Sequence, residues 1–326
     1  MKLHWCQRAL LGLCLLAIAA SAGFVVGAQE TPGQGNQTTL EVGQVMSVGG
    51  KIITAEDLIA RVWDNESVLS PEKRVLVPSL TYLRDVALLD LEAARMGLVL
   101  SPQEINDGTE QQLKTIREEV KRKSQGTLPF EDWLAQQGLT LEAFEAYVRD
   151  RTPIILHKRV LVNYFKDNTE SLEAWHILVK KEEDAKAIYD ELKALPPEKR
   201  RERFEELAVQ KSIDGSSNLN KGRIGRIFRN AATLVPEAED AVWGIKDGEV
   251  TAPIKSTYGW HVFMRRQTFA PVVKPLAQVR AALMKATDVG EDDFNTWVRW
   301  AATTQKYKIE RRLPGYDCKP NQKGSK

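Results

Sequence analysis

The chain has 326 residues, 43% apolar and 28% charged, with 21 Gly and 14 Pro. That composition is globular, and it excludes a disordered, collagen-like or disulfide-stapled protein. Lys and Arg number 46 against 44 Asp and Glu, so no charge excess directs the protein to nucleic acid. Residues 1–28 open with Lys2 and Arg8 and continue as an apolar run to Val26. Small-residue sites follow at Ala20-Ser21-Ala22 and Val26-Gly27-Ala28, the pattern of an export signal peptide. The run exceeds the roughly 7–15 residues of a usual signal core, which leaves an uncleaved membrane anchor as the alternative. Cys6 and Cys14 lie in this segment, and beyond it only Cys318 remains. The exported chain therefore forms no internal disulfide. The sequence has no metal-ligand spacing, Gly-rich phosphate loop or nucleophile elbow, so no metal or other cofactor is expected.

Residues 29–39 are rich in Gln, Gly and Thr and read as a flexible linker. From 40 to 171 the pattern is helical after one short hairpin. Val45 to Val48 and Ile52-Ile53 flank the turn Gly49-Gly50, and Thr54 caps a helix starting at Ala55. Ser70-Pro71-Glu72 opens another helix. Leu76 to Met96 carries Leu80, Leu83, Ala87, Leu91 and Ala94 near a 3.6 period, with Gly97 at its end. Ser101-Pro102-Gln103-Glu104 is a capping box for a helix running to Lys123. Further helices are expected over 130–137 and 141–165.

The period changes at Leu172. Trp175 to Val179 is β-rich, and Ala185, Ile188, Tyr189 and Leu192 mark a helix. Phe204, Leu207 and Ala208 mark a second, 211–222 reads as a polar loop, 237–243 as a third helix and 260–265 as a last strand. Residues 172–268 thus predict a compact β-α-α-α-β unit. Residues 269–312 return to helix from Leu276 to Thr304, with Tyr307 to Glu310 as a closing strand, and 313–326 form a disordered tail. The C-terminal helix resembles the first region, so it is expected to pack on it. The fold class is α+β: an N-terminal helical domain completed by a C-terminal helix, with the β-containing unit inserted between them.

Five segments occur together: Trp175-His176-Ile177-Leu178-Val179, Phe204-Glu205-Glu206-Leu207-Ala208, Lys211-Ser212-Ile213-Asp214, Val235 to Ala241, and Tyr258-Gly259-Trp260-His261-Val262. In that order and near that spacing they resemble a parvulin-type peptidylprolyl isomerase domain. The layout of the whole chain is similar to SurA-like and PrsA-like extracytoplasmic folding factors. By strand alternation His176 falls on one face of its strand and His261 with Phe263 on one face of the last, so neighbouring strands would bring the two imidazoles into one network. The resemblance implies a polar centre at His176, Ser212, Asp214, Ser256 and His261. It implies a proline slot lined or flanked by Ile224, Leu234, Ala238 and Tyr258, with Trp260 or Phe263 filling space beside Ala238.

Two departures stand out. The family commonly has a large apolar residue where this chain has Ala238, and an Asp where it has Arg223, with an aromatic at the position of Arg226. They imply weakened catalysis. The resemblance implies a periplasmic or otherwise extracytoplasmic folding factor that isomerises X-Pro bonds of unfolded exported polypeptides and binds them through its helical domain. The alternative is a chaperone whose parvulin domain is catalytically silent. Neither reading involves nucleic acid, and a membrane is involved only if the leader is retained.

Overall fold

The computed structural model describes residues 43–62, 76–305 and 307–311. The export signal, the linker over 29–39, the helix start at Ser70 and the tail with Cys318 lie outside them. The described residues divide into two compact units, one holding those up to Leu83 together with 309–311, the other those from Arg84 to Lys308.

In the first unit, β1 (Gln44–Val48) pairs antiparallel with β2 (Lys51–Thr54). Thr54 then caps α1 (Ala55–Val62): its hydroxyl accepts the Asp57 N–H at 3.1 Å, while the Asp57 carboxylate accepts the Thr54 N–H at 2.8 Å. The other edge of β1 is taken by β7 (Ile309–Arg311), giving the order β2-β1-β7. The closing strand thus pairs with the opening hairpin.

α2 spans Leu76–Arg95. It ends where expected, with Gly97 at φ 64° and the Leu98 N–H donating to Ala93 O at 2.8 Å. The capping box at Ser101 opens α3 (Pro102–Lys123), and α4 (Phe130–Gln136) and α5 (Leu141–Asn168) follow. The C-terminal stretch differs from expectation, being two helices, α10 (Leu276–Leu283) and α11 (Glu291–Thr304), separated at 284–290. Gly290 begins the second with three acidic residues in its first turn, a helix start that apolar spacing did not reveal. Both pack on α5. The buried Arg159 of α5 holds the break between them, with Nε on Asp288 at 2.9 Å and Nη1 on Met284 O at 3.1 Å.

Between α5 and α10 lies a four-stranded antiparallel sheet of order β4-β3-β6-β5. It comprises β3 (Ser171–Val179), β4 (Arg223–Phe228), β5 (Ile254–Ser256) and β6 (Gly259–Phe269). Strand alternation divides its side chains between two cores. Trp175, Ile177, Val179, Val262 and Met264 pack against α6 (Glu182–Ala194) and α7 (Pro197–Lys211). On the other face, Leu172, Ala174 and Phe263 pack against α9 (Pro236–Gly244). The unit therefore holds four strands and, with the short α8 (Gly215–Leu219), four helices, and the simpler β-α-α-α-β reading is corrected. β4 was missed because Ile224, Ile227 and Phe228 show no period of two, and β5 because it is three residues long.

Gly259 fixes the register at the sheet edge. Its φ is +139°, and a Cβ there would stand 2.4 Å from Val179 O. Gly259→Ala is expected to destabilise the protein by roughly 2–3 kcal/mol. Gly244→Ala, where a Cβ meets nothing within 4 Å, should stay within about 0.5 kcal/mol of the parent. Urea unfolding of both variants checks the contrast.

Candidate active site

β3 and β6 pair so that His176 lies opposite Phe263 and Leu178 opposite His261. The two histidines are therefore diagonal neighbours on the α9 face. His176 Nε2 lies 2.9 Å from His261 Nδ1, and His261 Nε2 lies 2.6 Å from Ser256 Oγ. Ser256 Oγ also accepts the Tyr258 N–H at 3.0 Å. At the other end His176 Nδ1 stands 3.5 Å from Asp214 Oδ2. The result is one polar chain, Asp214–His176–His261–Ser256.

Donor and acceptor counting gives this chain a direction. Burial works to raise the Asp214 pKa, but the side-chain and backbone hydrogen bonds from Ser216 and the nearby His176 outweigh it and hold the carboxyl below its ordinary range. An ionised Asp214 only accepts. His176 then presents Nδ1–H toward it and accepts at Nε2 from His261 Nδ1–H, and His261 accepts at Nε2 from the Ser256 hydroxyl. Both imidazoles are neutral in this arrangement. Burial, helped by the proximity of His261 and opposed by Asp214, pushes the His176 pKa from 6.5 down to about 4. Burial lowers His261 as well, against the pull of Asp214.

Under the chain lies an apolar floor. Phe263 is 2% exposed, and its ring stacks on His176 at 5.0 Å and on His261 at 5.7 Å between centroids. Ala238, 1% exposed, belongs to the same cluster, and the half-buried Ile224, Leu234, Val235, Trp243 and Ile254 pack against it. Ala238 thus shares its cluster with Phe263 and with residues of the β4–α9 connection. At the second departure both arginines have local partners. Arg223 pairs with Glu173 at 2.8 Å, and Arg226 donates to Ser171 Oγ at 2.9 Å with its guanidinium 4.5 Å from the Phe269 ring.

Two of the expected site residues are placed differently. Trp260 packs on the opposite core with Tyr189, because it has the parity of Val262 and Met264, not that of His261. Ser212 does not join the imidazoles. Its hydroxyl accepts the Leu178 N–H at 3.2 Å and lies 2.9 Å from Ser217 Oγ, so it ties the segment bearing Asp214 to the end of β3. Tyr258 is 59% exposed, in the β5–β6 turn, and reaches the chain through its backbone N–H. Ile254, opposite His261 across β5 and β6, was not anticipated, although it shares the parity of Ser256. Thr251 was also missed. Its hydroxyl accepts the Phe263 N–H at 3.0 Å and so fixes the residue under both rings.

Residues 176–267 match the family described as Rotamase: PPIC-type PPIASE domain. Among curated relatives, the chain is 35% identical over 144 residues to the foldase protein PrsA of Halalkalibacterium halodurans, covering 40% of this chain and 41% of that one. It is 37% identical over 100 residues to the putative peptidyl-prolyl cis-trans isomerase Cbf2 of Campylobacter jejuni, covering 30% and 36%. It thus spans well under half the length of these relatives. Of solved structures, the parvulin NmPin of Nitrosopumilus maritimus is 33% identical, with 30% of this chain and 98% of that one covered and a TM-score of 0.27.

The neutral, buried His176 gives a signed pH dependence. Below about pH 6.5 the unfolded chain takes a proton that the folded chain resists until about pH 4. Stability is therefore full above this window and falls through it by about 3 kcal/mol as pH drops. Asp214, held below its ordinary range, acts at still lower pH. Urea midpoints at pH 7.5, 5.5 and 4.5 should fall in the parent and flatten in His176→Phe, and an equal slope in both would contradict a neutral His176.

Proposed function

We propose that the protein is an extracytoplasmic folding factor that catalyses cis-trans isomerisation of X-Pro bonds in unfolded exported polypeptides and binds those chains through its helical region. The observation that carries this reading is the Asp214–His176–His261–Ser256 chain set against the Phe263 floor inside a parvulin-type domain. A periplasmic location agrees with the leader pattern over 1–28.

Rotation about the X-Pro bond faces a barrier of roughly 18–20 kcal/mol because amide resonance is lost on the way. No covalent bond breaks, so the site needs no nucleophile and no net proton transfer. Two features answer the requirement. The half-buried Ile224, Leu234 and Ile254 and the cluster behind them offer apolar contact to a proline ring and keep water from the amide. The twisted amide is less polar than the planar one, so a dry site favours it.

The Asp214 carboxylate supplies the second feature. Near the carbonyl oxygen preceding proline it opposes the resonance form that places negative charge there, which reduces the double-bond character of C–N. The imidazoles serve by being neutral and fixed. They hold the carboxylate in place and lay a flat, weakly polar surface beneath the ring, a preorganised environment that does not rearrange during the turn. The filled surroundings of Ala238 favour a working slot over a silent one.

The test is the cis-to-trans rate of short X-Pro peptides, whose uncatalysed exchange takes roughly tens to hundreds of seconds. Acceleration by the parent is expected. Asp214→Asn, which keeps the shape and removes the charge, should lower kcat/KM about ten-fold with KM little changed. Leu234→Ala should act chiefly on KM. No acceleration with any residue before proline, from a protein that still suppresses client aggregation, would overturn the isomerase reading.

A further inference from the structure

The proline slot has one wall that is not built by the sheet. It comes from the seven-residue connection 229–235 between β4 and α9, which delivers Leu234 and Val235 to the cluster around Ala238 and Phe263. This connection is strained. Asn230 has φ 63° and Ala232 φ 47°, left-handed conformations that side chains with a Cβ avoid, Ala more than Asn. Such conformations persist only where surrounding contacts over-determine them, and they gather at binding sites.

The contacts that hold this segment are in large part supplied from outside the sheet. Between Asn230 and Ala232 sits Ala231, fully buried, and its carbonyl accepts from Nε of Arg299, on α11, at 3.3 Å. Arg299 is itself set by Nη2 on Thr296 Oγ1 at 3.0 Å, one turn earlier in the same helix. At the start of the connection, the Phe228 ring packs on Phe165 of α5 at 4.6 Å, and Phe165 on Trp300 of α11 at 4.9 Å. Within the domain, the Arg229 guanidinium pairs with Glu170 at 2.5 Å and lies 4.0 Å from the Trp243 ring. The Glu239 carboxylate accepts a backbone hydrogen bond from Asn230.

We propose that Arg299 is a positioning residue for the isomerase slot: by gripping the Ala231 carbonyl from the C-terminal helix, it holds the strained 229–235 wall in the shape that places Leu234 against the proline ring. The helical region then completes the isomerase site as well as carrying it. Burial lowers the Arg299 pKa while Asp292 opposes this. Its cost of burial is offset where a fixed carbonyl accepts from it. This inference rests on the isomerase reading for its kinetics but not for its binding readout.

The test uses the full chain and two measurements, kcat and KM for a Leu-Pro peptide and the affinity of the same peptide by titration. Arg299→Ala should weaken binding and raise KM about five-fold while kcat stays within about two-fold, since the Asp214 end of the site is untouched. Adding Ala232→Gly removes the penalty of the left-handed conformation, so the double variant should return to within roughly two-fold of the parent affinity. Structural damage alone would not be repaired by that change. Should Arg299→Ala melt, Arg299→Gln takes its place with the same expected shifts.

Unchanged affinity and KM in a folded Arg299 variant would overturn the proposal, as would a loss that Ala232→Gly leaves in place. A parent that binds the peptide without accelerating its isomerisation would overturn the isomerase reading instead. The affinities would still decide the role of Arg299.

Discussion

The site depends on the antiparallel pairing of β3 with β6. Its register puts Phe263 opposite His176 and His261 opposite Leu178. The two imidazoles therefore meet diagonally, with the aromatic ring stacked on both. A slip of one residue would send every one of these side chains to the α6–α7 face. Several local devices protect the register. Gly259 admits the close approach of Val179 O, Thr251 takes the Phe263 N–H, and the His176 N–H donates to Gly222 O at 2.7 Å. The last contact needs glycine, since Gly222 has φ +86° and a Cβ there would meet Ala208 Cβ at 3.0 Å. The pairing sets the geometry, and burial between sheet and helices then sets the electrostatics by keeping both rings uncharged.

Much of this was legible in the sequence because it follows from simple periods. Helix starts at Thr54 and Ser101 carry side-chain caps, and each appears in the structure. The parity of His176, His261 and Phe263 correctly put three rings on one face. The same rule, applied one residue further, places Trp260 on the other face, so its assignment to the slot gave size more weight than parity. What sequence could not show was how contacts are shared among partners far apart in the chain. Ser212 is two residues from Asp214, yet its hydroxyl is taken by Leu178 and Ser217. Ile254 opens, and Thr251 precedes, a strand too short to show a period. The break at 284–290 is held by Arg159, which binds Asp288 from 129 residues away.

The departures from the parvulin pattern illustrate compensation. A small residue at 238 would leave a hollow if its neighbours stayed in place, but the β4–α9 connection brings Leu234 and Val235 to the cluster, and Phe263 fills from below. The basic residues of β4 and of the position after it are not a free cationic run. Arg223 and Arg229 are tied to Glu173 and Glu170, and Arg226 lies against aromatic rings. They consequently stabilise the edge of the sheet more than they advertise a charge to a client.

Two buried, neutral imidazoles share a directional hydrogen-bond chain with Ser256 and face an ionised Asp214 at 3.5 Å. The most direct measurement is a pH titration of the ring nitrogens by NMR with 15N-labelled histidine. The account predicts that His176 stays neutral to about pH 4, with its proton on Nδ1 and that of His261 also on Nδ1. It also predicts that Asp214→Asn disturbs both rings. Two rings that titrate independently near their ordinary pKa of about 6.5, with no response to Asp214→Asn, would contradict it.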